Sequence, residues 1–121
     1  MPEIETLHGQ PSRVLESSTV RVAGTGLAGH LTARFAAGGR TVDPFFTAPW
    51  WNESMPPEAP ALIRVLRGDF FCLPFGNERA HGRTANEPWT YEGTRADGRA
   101  REMSFSMDLG RGEGTVRKLI R

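Results

Sequence analysis

Residues 103–109 read Met-Ser-Phe-Ser-Met-Asp-Leu, apolar at every odd position and polar at every even one. Successive side chains of an extended backbone point to opposite faces, so this run has the pattern of a half-buried strand and not of a helix. Residues 30–35 alternate in the same way and are expected to turn Leu31, Ala33 and Phe35 inward. Residues 19–23 form a shorter case that buries Val20 and Val22. Between the runs lie Gly24-Thr25-Gly26, Gly38-Gly39 and Ala96-Asp97-Gly98-Arg99, all suited to tight turns. Residues 89–94 and 99–109 read as two arms of a hairpin across Asp97-Gly98, and residues 115–120 have strand character. Residues 57–66 are the one stretch with helical spacing, with Leu62, Val65 and Leu66 on one side. The 14 glycines and 9 prolines are scattered along the chain, which favours many short strands. The expectation is an all-β, antiparallel chain, with residues 1–121 forming a single domain.

Composition removes several function classes. With 15 basic and 14 acidic residues well mixed, no strongly basic face is required, and nothing points to nucleic acid. The single cysteine, Cys72, excludes an internal disulfide and a cysteine-based metal cluster. Flanked by Phe71 and Leu73, it reads as a small buried apolar residue, with a reactive thiol as the alternative. The three histidines, His8, His30 and His81, have no pairwise ligand spacing, so no metal site is expected. Gly24-Thr25-Gly26 lacks the spacing and the lysine of a phosphate-binding loop, and no cofactor is implied. The first ten residues have neither a basic segment nor an apolar one, and no apolar run is long enough to cross a membrane as a helix. A soluble, cytoplasmic protein is the expectation.

The chemistry-bearing residues cluster in residues 67–89, RGDFFCLPFGNERAHGRTANEPW. His81 precedes Gly82, so backbone and imidazole can both approach a ligand; the alternative is a loop histidine bonded to a nearby carbonyl. Arg67 precedes Gly68 and offers a planar donor fork for hydroxyl, carboxylate or phosphate oxygens, or else is a surface arginine. Asn86 can bond a ligand or cap a turn. Trp50, Trp51, Phe70, Phe75 and Trp89 can supply a stacking wall for a sugar ring, though such aromatics more often fill a core. Glu78 and Glu87 flank the histidine segment, as a base or as solvated loop residues. Trp50 and Trp51 lie in a Pro-rich irregular connection, residues 43–60, of a length often functional in compact domains.

The order Arg67-Gly68, Leu73-Pro74-Phe75-Gly76 and His81-Gly82-Arg83-Thr84-Ala85-Asn86-Glu87-Pro88-Trp89 resembles the aldose 1-epimerase (galactose mutarotase-like) superfamily, closest to its hexose-phosphate epimerase-like branch. The resemblance covers residues 12–121 in layout, with only residues 67–89 at the level of a motif. It implies a twisted antiparallel β-sandwich considerably longer than this chain, of which these residues would be the N-terminal, incomplete portion. It further implies interconversion of sugar anomers, in which a base takes the proton of the anomeric hydroxyl and an acid protonates the ring oxygen. Arg67 and His81 then fall at substrate-site positions. Arg83 becomes a candidate phosphate contact, with Asn86, Trp50 and Trp89 nearby. The family's catalytic histidine and glutamate lie downstream of the matched region and have no counterpart here, so the catalytic residues stay unassigned. Asp69 and Arg83 also depart from the family, which carries glycine and an aromatic there. The implied partner is a monosaccharide or sugar phosphate. The alternative is a non-catalytic carbohydrate-binding or interaction domain. Residues 115–120 end the chain as a strand without a polar tail, so either self-association or a complementary chain is expected to cover that edge.

Overall fold

The computed structural model describes residues 4–69, 71 and 86–121, with the backbone alone at 61 and 62. Among these residues, eight strands form two antiparallel sheets, and one short helix lies between them in chain order. The first sheet is a five-stranded meander in sequence order: β1 (Ile4–Leu7), β2 (Gln10–Glu16), β3 (Val20–Thr25), β4 (Leu31–Ala37) and β5 (Arg40–Val42). Helix α1 (Ala61–Val65) follows. A three-stranded meander, β6 (Thr90–Asp97), β7 (Ala100–Asp108) and β8 (Thr115–Ile120), completes the chain. The all-β, antiparallel class expected from the alternation is the observed one.

The turns explain the meanders. His8 and Gly9, with φ of 47° and 74°, close the β1–β2 hairpin between the paired residues Leu7 and Gln10. Gly38 and Gly39, at 57° and 74°, do the same between Ala37 and Arg40. Two successive left-handed residues match the right-handed twist of the strands they join. Gly98, at 58°, opens the β6–β7 turn between Asp97 and Ala100.

The two sheets pack face to face. Register places Leu15, Val22, Gly24, Leu31 and Ala33 on one face of the five-stranded sheet. Leu15, Val22 and Leu31 pack against a buried cluster of Trp89, Met103, Phe105, Met107, Leu109 and Ile120. Gly24 marks the closest approach: a Cβ there would lie 2.8 Å from Cε2 of Phe105 and 3.2 Å from Cδ1 of Ile120. Arg13, on the same face, lays its guanidinium 4.4 Å from the centre of the Tyr91 ring.

Three local expectations are corrected, and three strands are added. Gly24 and Thr25 belong to β3, so the turn begins at Gly26. The helix spans Ala61–Val65 only, because Pro60 stands at its N-cap and Leu66 is already extended. Phe35 shares the inward face of Val20 but remains 40% exposed, since it lies on β4 beyond the cover of the smaller sheet. Strands β1, β2 and β5 were not foreseen: β5 is exposed throughout, and β2 opens Gln-Pro-Ser-Arg without alternation.

Candidate functional site

Arg67 is placed by pairing on two sides. Thr47 bridges to Arg67, the Ala48 amide donates to the Leu66 carbonyl at 3.1 Å, and the Gly68 amide donates to the Phe46 carbonyl at 2.5 Å. On the other side the Asp69 amide donates to the Leu31 carbonyl at 3.1 Å, and Asp69 Oδ1 accepts from the Leu31 amide at 2.5 Å. Residues 66–69 thus lie between the 46–48 segment and the start of β4. Gly68 is required: its φ is 63°, and a Cβ would fall 1.8 Å from the Leu31 carbonyl oxygen.

This backbone collects four polar side chains from distant parts of the chain. His30 directly precedes β4, and its own amide is fixed by the Thr25 hydroxyl at 3.0 Å. Lys118, from β8, donates to the Gly29 carbonyl at 2.7 Å and to Asp69 Oδ2 at 2.8 Å, tying the two sheets together. His30 is 1% exposed and Arg67 3%. The cluster therefore holds one carboxylate against two cations, with a histidine among them.

Electrostatics fixes the charge states. Burial pushes the His30 imidazole down to about 4; Arg67 and Lys118 also oppose its protonation, while Asp69 and a contact with the Val65 backbone favour it. The imidazole is neutral at physiological pH, with one N–H donor and one free lone pair. Burial also lowers Arg67 to about 10, which leaves it charged.

The Arg67 Nη1 donates to the Leu7 carbonyl, which joins residue 67 to the β1–β2 turn. Among the described residues, Arg67 Nε and Nη2 are buried without a hydrogen-bond partner, and the His30 ring nitrogens make no well-aligned hydrogen bond, the Val65 backbone being a poorly aligned neighbour. Nε and Nη2 form one edge of the guanidinium, the edge that presents two parallel N–H donors. Leaving such groups unpaired costs about 1–3 kcal/mol each, more for a charged one.

The other candidate residues divide. Asn86 is buried at 5% exposure. Trp89 is in the core cluster, edge-on to Phe71 at 5.6 Å and packed on Gly29. Trp50 is half-buried, with Nε1 donating to the Ile63 carbonyl at 2.9 Å. Trp51 is 44% exposed, stands edge-on to His8 at 5.6 Å, and shares a small recess with Arg67 and Val65. Candidates His81, Arg83, Phe70, Phe75, Glu78 and Cys72 lie outside the described residues. His30, Asp69 and Lys118 are the members that sequence reading missed. For Lys118 a signal existed, because Val116, Lys118 and Ile120 alternate on the inward face of β8. No group of three or more metal-ligating side chains occurs among the described residues.

Comparison with known proteins finds no matching family model, curated sequence or solved structure. No helix among the described residues is long and apolar enough to cross a membrane.

Proposed function

We propose that this chain binds a carbohydrate through Arg67 and His30, as a sugar-handling unit of the aldose 1-epimerase type. The observation that carries the reading is the Nε/Nη2 edge of buried Arg67, unpaired among the described residues, beside a neutral, buried His30. Two donors from the guanidinium suit two neighbouring hydroxyl oxygens. The His30 lone pair needs a proton from its ligand, which a hydroxyl supplies and a fully ionised carboxylate does not. Sugar hydroxyls satisfy both demands. The unpaired atoms are buried, so binding requires an opening motion and its affinity carries that cost.

The motif resemblance adds His81, Arg83 and Asn86 to this site and a hexose or hexose phosphate as ligand. Anomer interconversion then needs an acid and a base, which the resemblance assigns to residues downstream of the matched region. The proposed role of this chain is accordingly binding first, with catalysis dependent on further residues.

Two measurements test it. Calorimetric titration with galactose, glucose and their 6-phosphates is expected to show saturable binding that Arg67→Lys weakens about tenfold, since lysine keeps the charge but loses the fork. Binding unchanged in Arg67→Lys and His30→Gln would remove the site. Polarimetry of freshly dissolved α-D-glucose and α-D-galactose then separates a binder from an epimerase, which would exceed the buffer rate.

A second reading has its own observation. β8 pairs only with β7 among the described strands, and Leu119 on its outward face is 54% exposed. An open strand edge with an exposed leucine favours self-association.

A further inference from the structure

The sandwich opens at the end opposite the β3–β4 turn. There a crevice of about 420 Å³ lies between the β2–β3 hairpin and the β6–β7 turn. One wall is apolar, made of Leu15, Val20 and Val22. The other carries Arg99, Arg101 and Arg121. Its volume falls within the range of ligand pockets, roughly 300–1,000 Å³.

Charge separates this crevice from an ordinary gap between sheets. Arg121 pairs with Asp97 at 3.1 Å. Arg99 and Arg101 form no ion pair among the described residues. The single acidic side chain in the lining, Glu16, stands 3.5 Å from Arg21 on another part of the surface. Register also matters: Arg101 is two residues before the inward-facing Met103, so it stands on the inner face of β7. A sheet that otherwise turns Met103, Phe105 and Met107 inward thus ends in a guanidinium facing an apolar wall.

We propose that this crevice binds a single-chain anionic amphiphile, with the alkyl body on Leu15, Val20 and Val22 and a carboxylate or phosphate head on Arg99 and Arg101. An apolar body removes hydrocarbon surface from water at about 25 cal/mol per Å². A guanidinium receives a carboxylate or phosphate head through two parallel hydrogen bonds. Neither a cationic nor a neutral amphiphile gains the second contribution. The site is separate from Arg67 and His30, so it does not depend on the carbohydrate reading.

Titration of the full chain with dodecanoate and dodecyl phosphate, below their micelle concentrations, tests the assignment. Methyl NMR signals of Leu15, Val20 and Val22 report where binding occurs, and dodecyltrimethylammonium and dodecanol serve as the cationic and neutral comparisons. The expected result is saturable binding of the anionic pair at those methyls. It should weaken at least tenfold in Arg99→Gln/Arg101→Gln, with dodecanol binding unchanged. Preference for dodecyl phosphate over dodecanoate would assign a phosphate head, and the reverse a carboxylate. Equal binding of cationic and anionic probes, shifts away from the three methyls, or no saturation would overturn it. So would a dimer, seen by sedimentation, that dissociates in Val20→Asp, because a second copy would then fill the crevice. Both arginines are exposed, so the double variant is expected to fold, and circular dichroism verifies that it does.

Discussion

His30 and Arg67 are buried polar side chains, and the burial of His30 has a measurable consequence. His30 titrates near 6.5 in an unfolded chain but only at about 4 when buried beside Arg67 and Lys118. Between those values the unfolded state binds a proton that the folded state refuses, so stability falls as pH drops through that window. At about 1.4 kcal/mol per pH unit, the loss approaches roughly 3 kcal/mol at the acid end. Urea unfolding from pH 7 to pH 4 is expected to show this slope, and His30→Gln to flatten it within that range. A wild-type slope retained in the variant would assign the acid sensitivity to carboxylates instead. Arg67 was legible in sequence as a guanidinium beside a glycine, and the structure explains the pairing through the left-handed Gly68. His30 was not legible, because a histidine preceding an alternating run carries no spacing that foretells its burial by Arg67 and Lys118.

Strand β7 is the element on which the sheets converge. Its three inward side chains, Met103, Phe105 and Met107, are each at most 1% exposed, and Phe105 faces the missing side chain of Gly24. Gly24→Ala is expected to cost about 1–3 kcal/mol by crowding that ring. The second variant Phe105→Leu alone should also destabilise, by leaving a void. Combined, the two should cost less than their sum, and a double-mutant cycle in urea measures the difference. Strict additivity would mean that the sheets do not meet at this pair. Strand β8 was readable because its inner face is covered and its outer face wet, which forces a period of two; β7 was readable because apolar and polar side chains alternate along it, although Glu102 and Ser106 on its outer face are themselves buried. Strand β5 was hidden because all three of its residues are exposed, so burial imposed no pattern. Strand β2 was hidden because its partly buried face carries Arg13, whose guanidinium finds the Tyr91 ring in place of an apolar neighbour.

Across the described residues, two meanders of five and three strands pair β8 on one side only. Its inward residues Val116, Lys118 and Ile120 are committed to the core and the polar cluster, whereas Leu119 is free to meet a partner. If the edge associates, sedimentation is expected to show a concentration-dependent dimer that Leu119→Glu abolishes without lowering thermal stability. A monomer at all concentrations would leave the edge solvated. The fold class followed from alternation and turn residues, which act locally. Which charged groups meet between the sheets did not, since Asp69 and Lys118 are brought together only by packing.

Lys118 is the only lysine in the chain. Apart from the amino terminus, an acylating reagent therefore has one amine to find, and that amine is engaged by Gly29 and Asp69 between the sheets. Its labelling rate becomes a clock for separation of the two layers. Slow modification that quickens with low urea would time partial opening before global unfolding, and the acylated product, its charge gone, should be unable to close again as tightly.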